Sequence, residues 1–304
     1  MGHGSYQSRD WEKLKSARGI NASSTVNELY QSRRMKDYLN PYGVAFRESC
    51  DSMDNPASTA IIFGLDVTGS MGYLSEEIAK GALNRTMLEI YEKKPVTNPH
   101  IMFQAIGDSK SDEAPLQTTQ FEADIRIAEQ LLDVYFEGRG GGNGGESYLL
   151  SWYFAAKHTK IDCFEKRKEK GFLFTIGDER THKELTRGEI SRVFGDNAER
   201  NYSAIELYNE ASQKYEIFHI VMKAGAYSSQ KSGADWKSLI KDRAIELSPD
   251  DLDVLPEIFV SLMQAVKGME RKEIAAQWQG KARDVVADIL ETTQLGKKKR
   301  FLIF

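Results

Sequence analysis

The feature that most constrains the fold is an alternation of short, largely apolar segments with segments of helical spacing. The apolar segments are predicted strands, at residues 60–65, 100–106, 116–121, 171–176, 216–222 and 244–247. Helical spacing predicts helices at residues 75–93, 123–136, 148–158, 183–194, 204–214 and 252–267. Strands that are apolar on both faces and separated by helices are typical of a mostly parallel sheet covered on both sides. The sequence therefore predicts an α/β, doubly wound, Rossmann-like fold.

The two ends of the chain differ in composition from this middle part. Residues 1–58 are polar, with helical spacing at 11–17 and 26–38, and predict an N-terminal extension. The α/β domain is expected over residues 59–269. Residues 270–304 predict a polar helix at 271–290, a basic run at 297–300 and an apolar tail at 301–304.

Charge and cysteine content limit the class of protein. The chain has 41 Lys and Arg against 45 Asp and Glu, a net charge of −4. A binder of nucleic acid or of anionic membranes would normally carry a basic excess, so we expect neither partner. Two cysteines, a polar N-terminus and the absence of a run of about 18–20 apolar residues favour a soluble cytoplasmic protein.

The residues after the first predicted strand carry the strongest chemical signal. They read Asp66-Val67-Thr68-Gly69-Ser70-Met71-Gly72 and lie directly ahead of a predicted helix. Asp66, Thr68 and Ser70 alternate, so an extended loop would point their three oxygens the same way. Oxygen donors of this kind suit Mg²⁺ or Mn²⁺ better than Zn²⁺ or Cu²⁺. A hydroxyl that merely caps the next helix is the alternative, but capping accounts for only one of the two hydroxyls.

The motif Asp-x-Thr-x-Ser-Met-Gly resembles the metal-ion-dependent adhesion site of von Willebrand factor type A (vWA) domains. The family pattern is Asp-x-Ser-x-Ser, with Thr accepted at the middle position, and the resemblance covers about residues 60–269. It implies that two later loops complete the metal site, and that the domain binds other proteins through the metal.

The second of these loops reads Gly138-Arg139-Gly140-Gly141-Gly142-Asn143-Gly144-Gly145-Glu146-Ser147 and departs from the family. Most vWA domains supply a Thr hydroxyl here, whereas this chain offers Glu146 or Ser147. Integrin β subunits show a similar arrangement with a Glu, so we favour Glu146 and keep Ser147 as the alternative. In a third interpretation the loop binds no metal, and Glu146 only begins the next helix, where acidic residues are favoured.

The third loop reads Gly177-Asp178-Glu179-Arg180, and the resemblance implies Asp178 as a ligand. Asp108 follows the second strand and would face the same edge of the sheet, where it either lines the crevice or forms an ion pair. The predicted ligand set is therefore Asp66, Thr68, Ser70, Glu146 and Asp178, with Mg²⁺ or Mn²⁺ as the ion.

The resemblance implies a non-enzymatic module in which the metal captures an Asp or Glu of a partner protein. Intracellular bacterial members of the family often work beside AAA+ ATPases, which makes such an ATPase a candidate partner, although the resemblance alone does not select it. One alternative is an Mg²⁺-dependent phosphohydrolase with Asp66 as the nucleophile, although Thr68 then stands where a general acid is needed. Another alternative is a structural subunit of a larger assembly.

Overall fold

The computed structural model describes residues 4–138, 144–225, 227–293 and 295. Its strands are β1 (Arg47–Ser49), β2 (Thr59–Asp66), β3 (Pro99–Ile106), β4 (Leu116–Thr118), β5 (Thr159–Ile161), β6 (Gly171–Gly177), β7 (Glu184–Leu185), β8 (Tyr202–Ser203), β9 (Tyr215–Met222) and β10 (Ala244–Leu247). The helices are α1 (Ser8–Arg18), α2 (Val26–Leu29), α3 (Gly72–Glu77), α4 (Leu83–Lys93), α5 (Arg126–Leu132), α6 (Tyr148–Lys157), α7 (Asp162–Glu165), α8 (Arg187–Phe194), α9 (Ala204–Ala211), α10 (Tyr227–Gln230), α11 (Ser232–Ile240), α12 (Leu255–Val266), α13 (Arg271–Ala276) and α14 (Gly280–Thr292).

The main sheet has the strand order β10-β9-β6-β2-β3-β4. Every neighbouring pair in it is parallel except β3 and β4, which are antiparallel. Along the chain, β3 and β4 are added on one side of β2. The chain then returns to the other side of β2 and adds β6, β9 and β10. This reversal confirms the predicted α/β, doubly wound fold with a mostly parallel sheet.

Helices cover both faces of the sheet because the side chains on both faces are apolar. One face packs Phe63, Phe103, Phe174 and Phe218 against α4 and α12, with the Phe259 ring 4.8 Å from that of Phe63. The other face carries Ile62, Leu173 and Ile217, and packs against α6, α8, α9 and α11. Two apolar layers of this size fix the strands in register and therefore fix where each strand ends.

The segments outside the α/β unit pack on it. Trp11 in α1 and Leu29 in α2 are buried in the same core as Phe63. Tyr30 joins them, and its hydroxyl donates to the Ser75 carbonyl at 3.1 Å. From the C-terminal side, α13 and α14 add residues such as Ile274 and Val286 to that core. The basic run at 297–300 and the apolar tail at 301–304 lie outside the described residues.

Several predicted elements have different bounds in the structure. The predicted helix at 26–38 was wrong beyond Leu29, because Tyr30 is buried from irregular backbone and Leu39 from a short 3₁₀ helix, Asp37–Leu39. The predicted helix at 271–290 is divided into α13 and α14 at Gly280, whose φ is +52°. Residues Ile78–Ala82 form a π-helical segment inside the predicted helix 75–93.

Other differences lie near strands. The third predicted strand ends at Thr118, and β7 occupies the start of the predicted helix at 183–194. A capping box between Thr186 and Glu189 sets the start of α8. The analysis of the sequence missed two small sheets, β1–β5 and β7–β8, because short strand pairings depend on tertiary neighbours more than on local pattern. Helix α11 was also missed. Within the described part of the chain, no helix has the length and apolarity that crossing a bilayer requires.

The burial of the N-terminal segment yields a stability prediction. Trp11 is 1% exposed, and replacing a buried Trp by Ala typically costs about 3–5 kcal/mol. We expect Trp11→Ala to lower the free energy of unfolding in urea by about that amount. Lys13→Ala, on the exposed side of the same helix, is the control and should change the stability little. Equal stability of the two variants would contradict the packing of α1.

Candidate metal centre

The crevice where the sheet reverses its winding brings together the ends of β2 and β6. Asp66 is the last residue of β2, and Asp178 directly follows β6. The two strands are adjacent and parallel, with Leu65 paired to Ile176, so both carboxylates lie at the same edge. Both side chains are fully buried. In doubly wound sheets, this reversal point at the carboxyl ends of the strands is where ligands bind.

The carboxylate of Asp66 is held by hydrogen bonds on both oxygens. The Thr68 amide and hydroxyl donate to its Oδ1 at 2.9 and 2.6 Å. The Tyr148 hydroxyl, from the first residue of α6, donates to its Oδ2 at 2.6 Å. The Thr68 side chain makes no bond to the helix that follows it, so its hydroxyl does not act as a cap. The orientation of Asp66 is therefore fixed by its neighbours.

Ser70 connects the first loop to the third. Its side chain is solvent-exposed, and its hydroxyl donates to Asp178 Oδ1 at 3.1 Å. Thr68, two residues earlier, is buried. The three oxygen-bearing residues of the first loop thus run from the buried end of β2 toward solvent.

Glu146 reaches the same region from the loop before α6. Its amide donates to the Arg180 carbonyl at 3.0 Å, and its backbone forms an isolated parallel bridge with Thr181. Glu146 is 2% exposed, yet its Oε2 is buried without a hydrogen-bond partner among the described residues. An ionisable oxygen buried in this way is unfavourable unless something else binds it.

Ser147, the alternative to Glu146, is bonded elsewhere. Its hydroxyl donates to Asp108 Oδ1 at 3.1 Å and accepts from the Ser109 amide at 2.9 Å. Asp108 also lies 2.8 Å from His182 Nε2. Asp108 is therefore part of a neighbouring polar cluster, as the ion-pair interpretation of that residue predicted. The Ser147 hydroxyl belongs to the same cluster. Residues 139–143 of the glycine-rich loop lie outside the described residues.

Burial and like charges shift the titration of this region. Burial raises the pKa of Asp66 to about 7, an effect reinforced by Asp178 and opposed by the hydrogen bonds from Thr68 and Tyr148. Burial also raises the pKa of Glu146 to about 10, reinforced by the charges of Asp66, Glu179, Asp108 and Asp112. Without a cation, the region favours protonated carboxyl groups.

Two glycines make room for these side chains, and sequence analysis missed both. A β carbon at Gly177 would lie 1.8 Å from the Tyr148 hydroxyl and 2.8 Å from Asp66 Oδ2. A β carbon at Gly225, whose φ is +48°, would lie 1.9 Å from Asp178 Oδ2. Tyr148 was also missed as a site residue, although it directly follows Ser147 in the loop that was examined.

The residues present fit the metal that the resemblance implies. Their donors are carboxylate and hydroxyl oxygens, which suit Mg²⁺ or Mn²⁺, and within the described part of the chain Glu146 Oε2 has no hydrogen-bond partner. Among the described residues, no three Asp, Glu, His or Cys side chains form a ready ligand group by themselves. The hydroxyls of Thr68 and Ser70, together with water, would therefore have to complete the coordination.

Comparison with known proteins gives structural likenesses only. No protein-family model matches the sequence, and no curated protein does either. The pilus adhesin SpaC from Lactobacillus rhamnosus GG is similar over 71% of this chain and 31% of its own length, with 9% identity and a TM-score of 0.46. The vWF domain of the type V pili tip protein Mfa5 from Porphyromonas gingivalis is similar over 67% of this chain and 94% of its own, with 9% identity and a TM-score of 0.43.

A third similar structure is proximal thread matrix protein 1 from the mussel byssus. It matches 71% of this chain and 49% of its own length, with 10% identity and a TM-score of 0.40. This chain thus spans about a third of SpaC and about half of the mussel protein. Likenesses this distant carry no inference about function, which has to be argued from the crevice itself.

The raised pKa values predict how stability depends on pH. Asp66, with a pKa raised to about 7, binds a proton more tightly in the folded than in the unfolded chain. Its contribution is therefore most favourable below the unfolded pKa of about 4 and is lost as the pH rises toward 7. In EDTA we expect Asp66→Asn to lose less stability than the wild type between about pH 5 and about pH 8. Urea unfolding at both pH values measures this, and equal slopes would contradict it.

The space left by Gly177 gives a second prediction. Gly177→Ala would force the Tyr148 hydroxyl away from Asp66, so we expect a loss of about 1–3 kcal/mol in the free energy of unfolding. Gly81→Ala is the matched control, because a β carbon there meets nothing within 4 Å. Thermal or urea unfolding of both variants checks this. If both tolerate the added methyl equally, the close approach at Gly177 is not a constraint.

Proposed function

We propose that this chain is a protein-interaction module that binds Mg²⁺ or Mn²⁺ at Asp66, Thr68, Ser70, Glu146 and Asp178. The observation that carries the proposal is the buried Oε2 of Glu146, for which the described residues supply no hydrogen-bond partner and which lies in a region already acidic from Asp66 and Asp178. The bound ion would supply a Lewis-acidic position at which an Asp or Glu of a partner protein is captured.

The residues of the site support binding rather than turnover. Asp66 is fully buried, and both of its oxygens accept hydrogen bonds from Thr68 and Tyr148. A phosphohydrolase would need one of these oxygens free to attack, with an acid nearby for the leaving group. Thr68 occupies the position of that acid, and its hydroxyl donates a hydrogen bond to Asp66. We therefore propose that the module is not an enzyme.

The position of Ser70 supports access from outside. Its exposed hydroxyl contacts Asp178, so the outer side of the site faces solvent while Asp66 and Glu146 lie deeper. A purely structural subunit is the weaker alternative, because it gives no reason to bury several carboxylates close together, which costs stability even where they accept hydrogen bonds.

The wider setting follows from the vWA resemblance rather than from the crevice. We propose a cytoplasmic protein whose partner presents an Asp or Glu, with an AAA+ ATPase as the first candidate. The net charge of −4 supports a protein partner over nucleic acid or an anionic membrane.

A set of substitutions tests the ligand assignment by calorimetric titration with Mg²⁺ and Mn²⁺. Asp66→Ala should abolish binding and leave the fold intact. Glu146→Thr restores the hydroxyl typical of vWA domains and should bind more weakly than the wild type. Glu146→Ala leaves a coordination position to water and should lose at least about tenfold in affinity, or roughly 1.4 kcal/mol.

Ser147→Ala is the matched control for Glu146→Ala, since the Ser147 hydroxyl is bonded to Asp108 and Ser109. It should leave metal affinity nearly unchanged. A damaging Ser147→Ala together with a silent Glu146→Ala would reverse the assignment. Unchanged Mg²⁺ affinity in Asp66→Ala would refute the site altogether.

A further inference from the structure

The backbone at Glu146 follows a stretch of sequence that does not fix its own conformation. Six of the eight residues before it, at positions 138–145, are glycine. Glycine has the widest choice of backbone conformations, and Gly144 uses it with a φ of +81°. Ser147, just ahead of α6, makes no side-chain hydrogen bond that caps the helix. The direction of the Glu146 side chain therefore has to be set by contacts with other parts of the chain.

Residues 179–182, which follow β6 and Asp178, make those contacts. The Glu146 amide donates to the Arg180 carbonyl at 3.0 Å, and the His182 amide donates to the Glu146 carbonyl at 3.3 Å. The Arg180 side chain also donates from its Nε to the Gly144 carbonyl at 2.6 Å. Both backbone polar groups of Glu146 are thus bonded to one short segment, and this sets the direction in which its side chain leaves the backbone.

The 179–182 segment is itself held at both ends. At its start, the indole N–H of the buried Trp236 donates to the Glu179 carbonyl at 2.9 Å. At its end, His182 Nε2 lies 2.8 Å from Oδ1 of the fully buried Asp108. The His182 side chain is only 10% exposed, so water competes little for this bond, and a hydrogen bond in such surroundings is stronger than one at the surface.

Lys110 determines which nitrogen of His182 carries the ring proton. Its Nζ lies 3.1 Å from His182 Nδ1. An ammonium group can only donate, so Nδ1 accepts, and Nε2 carries the proton that is donated to Asp108. A side chain at position 182 therefore needs a donor near the place of Nε2 to bond Asp108. Glutamine can supply such a donor, whereas alanine cannot.

We propose that His182, anchored by Asp108, is a positioning residue for Glu146 and thereby raises the affinity of the metal centre. This inference rests on the proposed function, since the position of Glu146 affects affinity only if Glu146 is a ligand. His182 is not a ligand itself. It holds the 179–182 segment against the backbone of Glu146, so that the buried carboxyl group is in place before a cation arrives. Without that support the loop would have to be ordered on binding, at a cost in affinity.

Calorimetric titration of the full chain with Mg²⁺ and Mn²⁺ tests this on three variants. His182→Ala should weaken binding about tenfold, as is typical when a group that orients a metal ligand is removed. His182→Gln keeps a donor for Asp108 and should bind within about twofold of the wild type. His158→Ala is the matched control, because His158 Nε2 makes an equivalent bond to Asp196 at 2.9 Å at the other end of α6. It should lower stability and leave metal affinity unchanged.

Amide hydrogen exchange in EDTA adds a measurement that needs no metal. The Glu146 amide is protected by its bond to the Arg180 carbonyl. We expect His182→Ala to speed its exchange about tenfold or more, because local opening there becomes easier. His182→Gln and His158→Ala should leave the exchange rate close to that of the wild type.

The outcomes separate this inference from the proposed function. Unchanged affinity in His182→Ala would overturn the role of His182 and leave the metal centre standing, and so would equal losses in His182→Ala and His158→Ala. A loss that His182→Gln does not restore would assign the effect to packing of the ring and would also overturn it. A wild type that binds neither ion would refute the proposed function, and with it the effect on affinity, whereas exchange that still depended on His182 would confirm that His182 positions Glu146.

Discussion

The burial of Asp66 and Asp178 at neighbouring strand ends places like charges where water has little access. Glu146 adds a third carboxyl from the loop before α6. Nearby aromatic groups cannot compensate this charge: Tyr148 only donates a hydrogen bond, and His219, 4.9 Å from the Tyr148 ring, is kept neutral because burial lowers its pKa well below the usual value. Hydrogen bonds from Thr68, Tyr148 and Ser70 offset part of this charge, and protons or a bound cation would offset more of it. Burying these carboxyl groups together costs stability, as is common at functional sites.

How far the sequence predicts this site depends on the distance between its parts along the chain. Asp66, Thr68 and Ser70 could be recognised because they are contiguous and follow a strand whose residues are all buried. Asp178 could be placed because β6 is equally apolar. The roles of Tyr148, Gly177 and Gly225 could not be predicted, because each depends on close approaches between side chains and backbone from different elements. No local pattern encodes a distance of that kind.

The same distinction explains which parts of the fold were predicted. Strands β2, β3, β6 and β9 are buried over nearly their whole length, so composition alone identifies them. The segment after α2 was predicted as helix because its apolar residues have helical spacing. In the structure, Tyr30 reaches the core from irregular backbone and Leu39 from a 3₁₀ helix instead. Tertiary burial there outweighs a weak local helical preference.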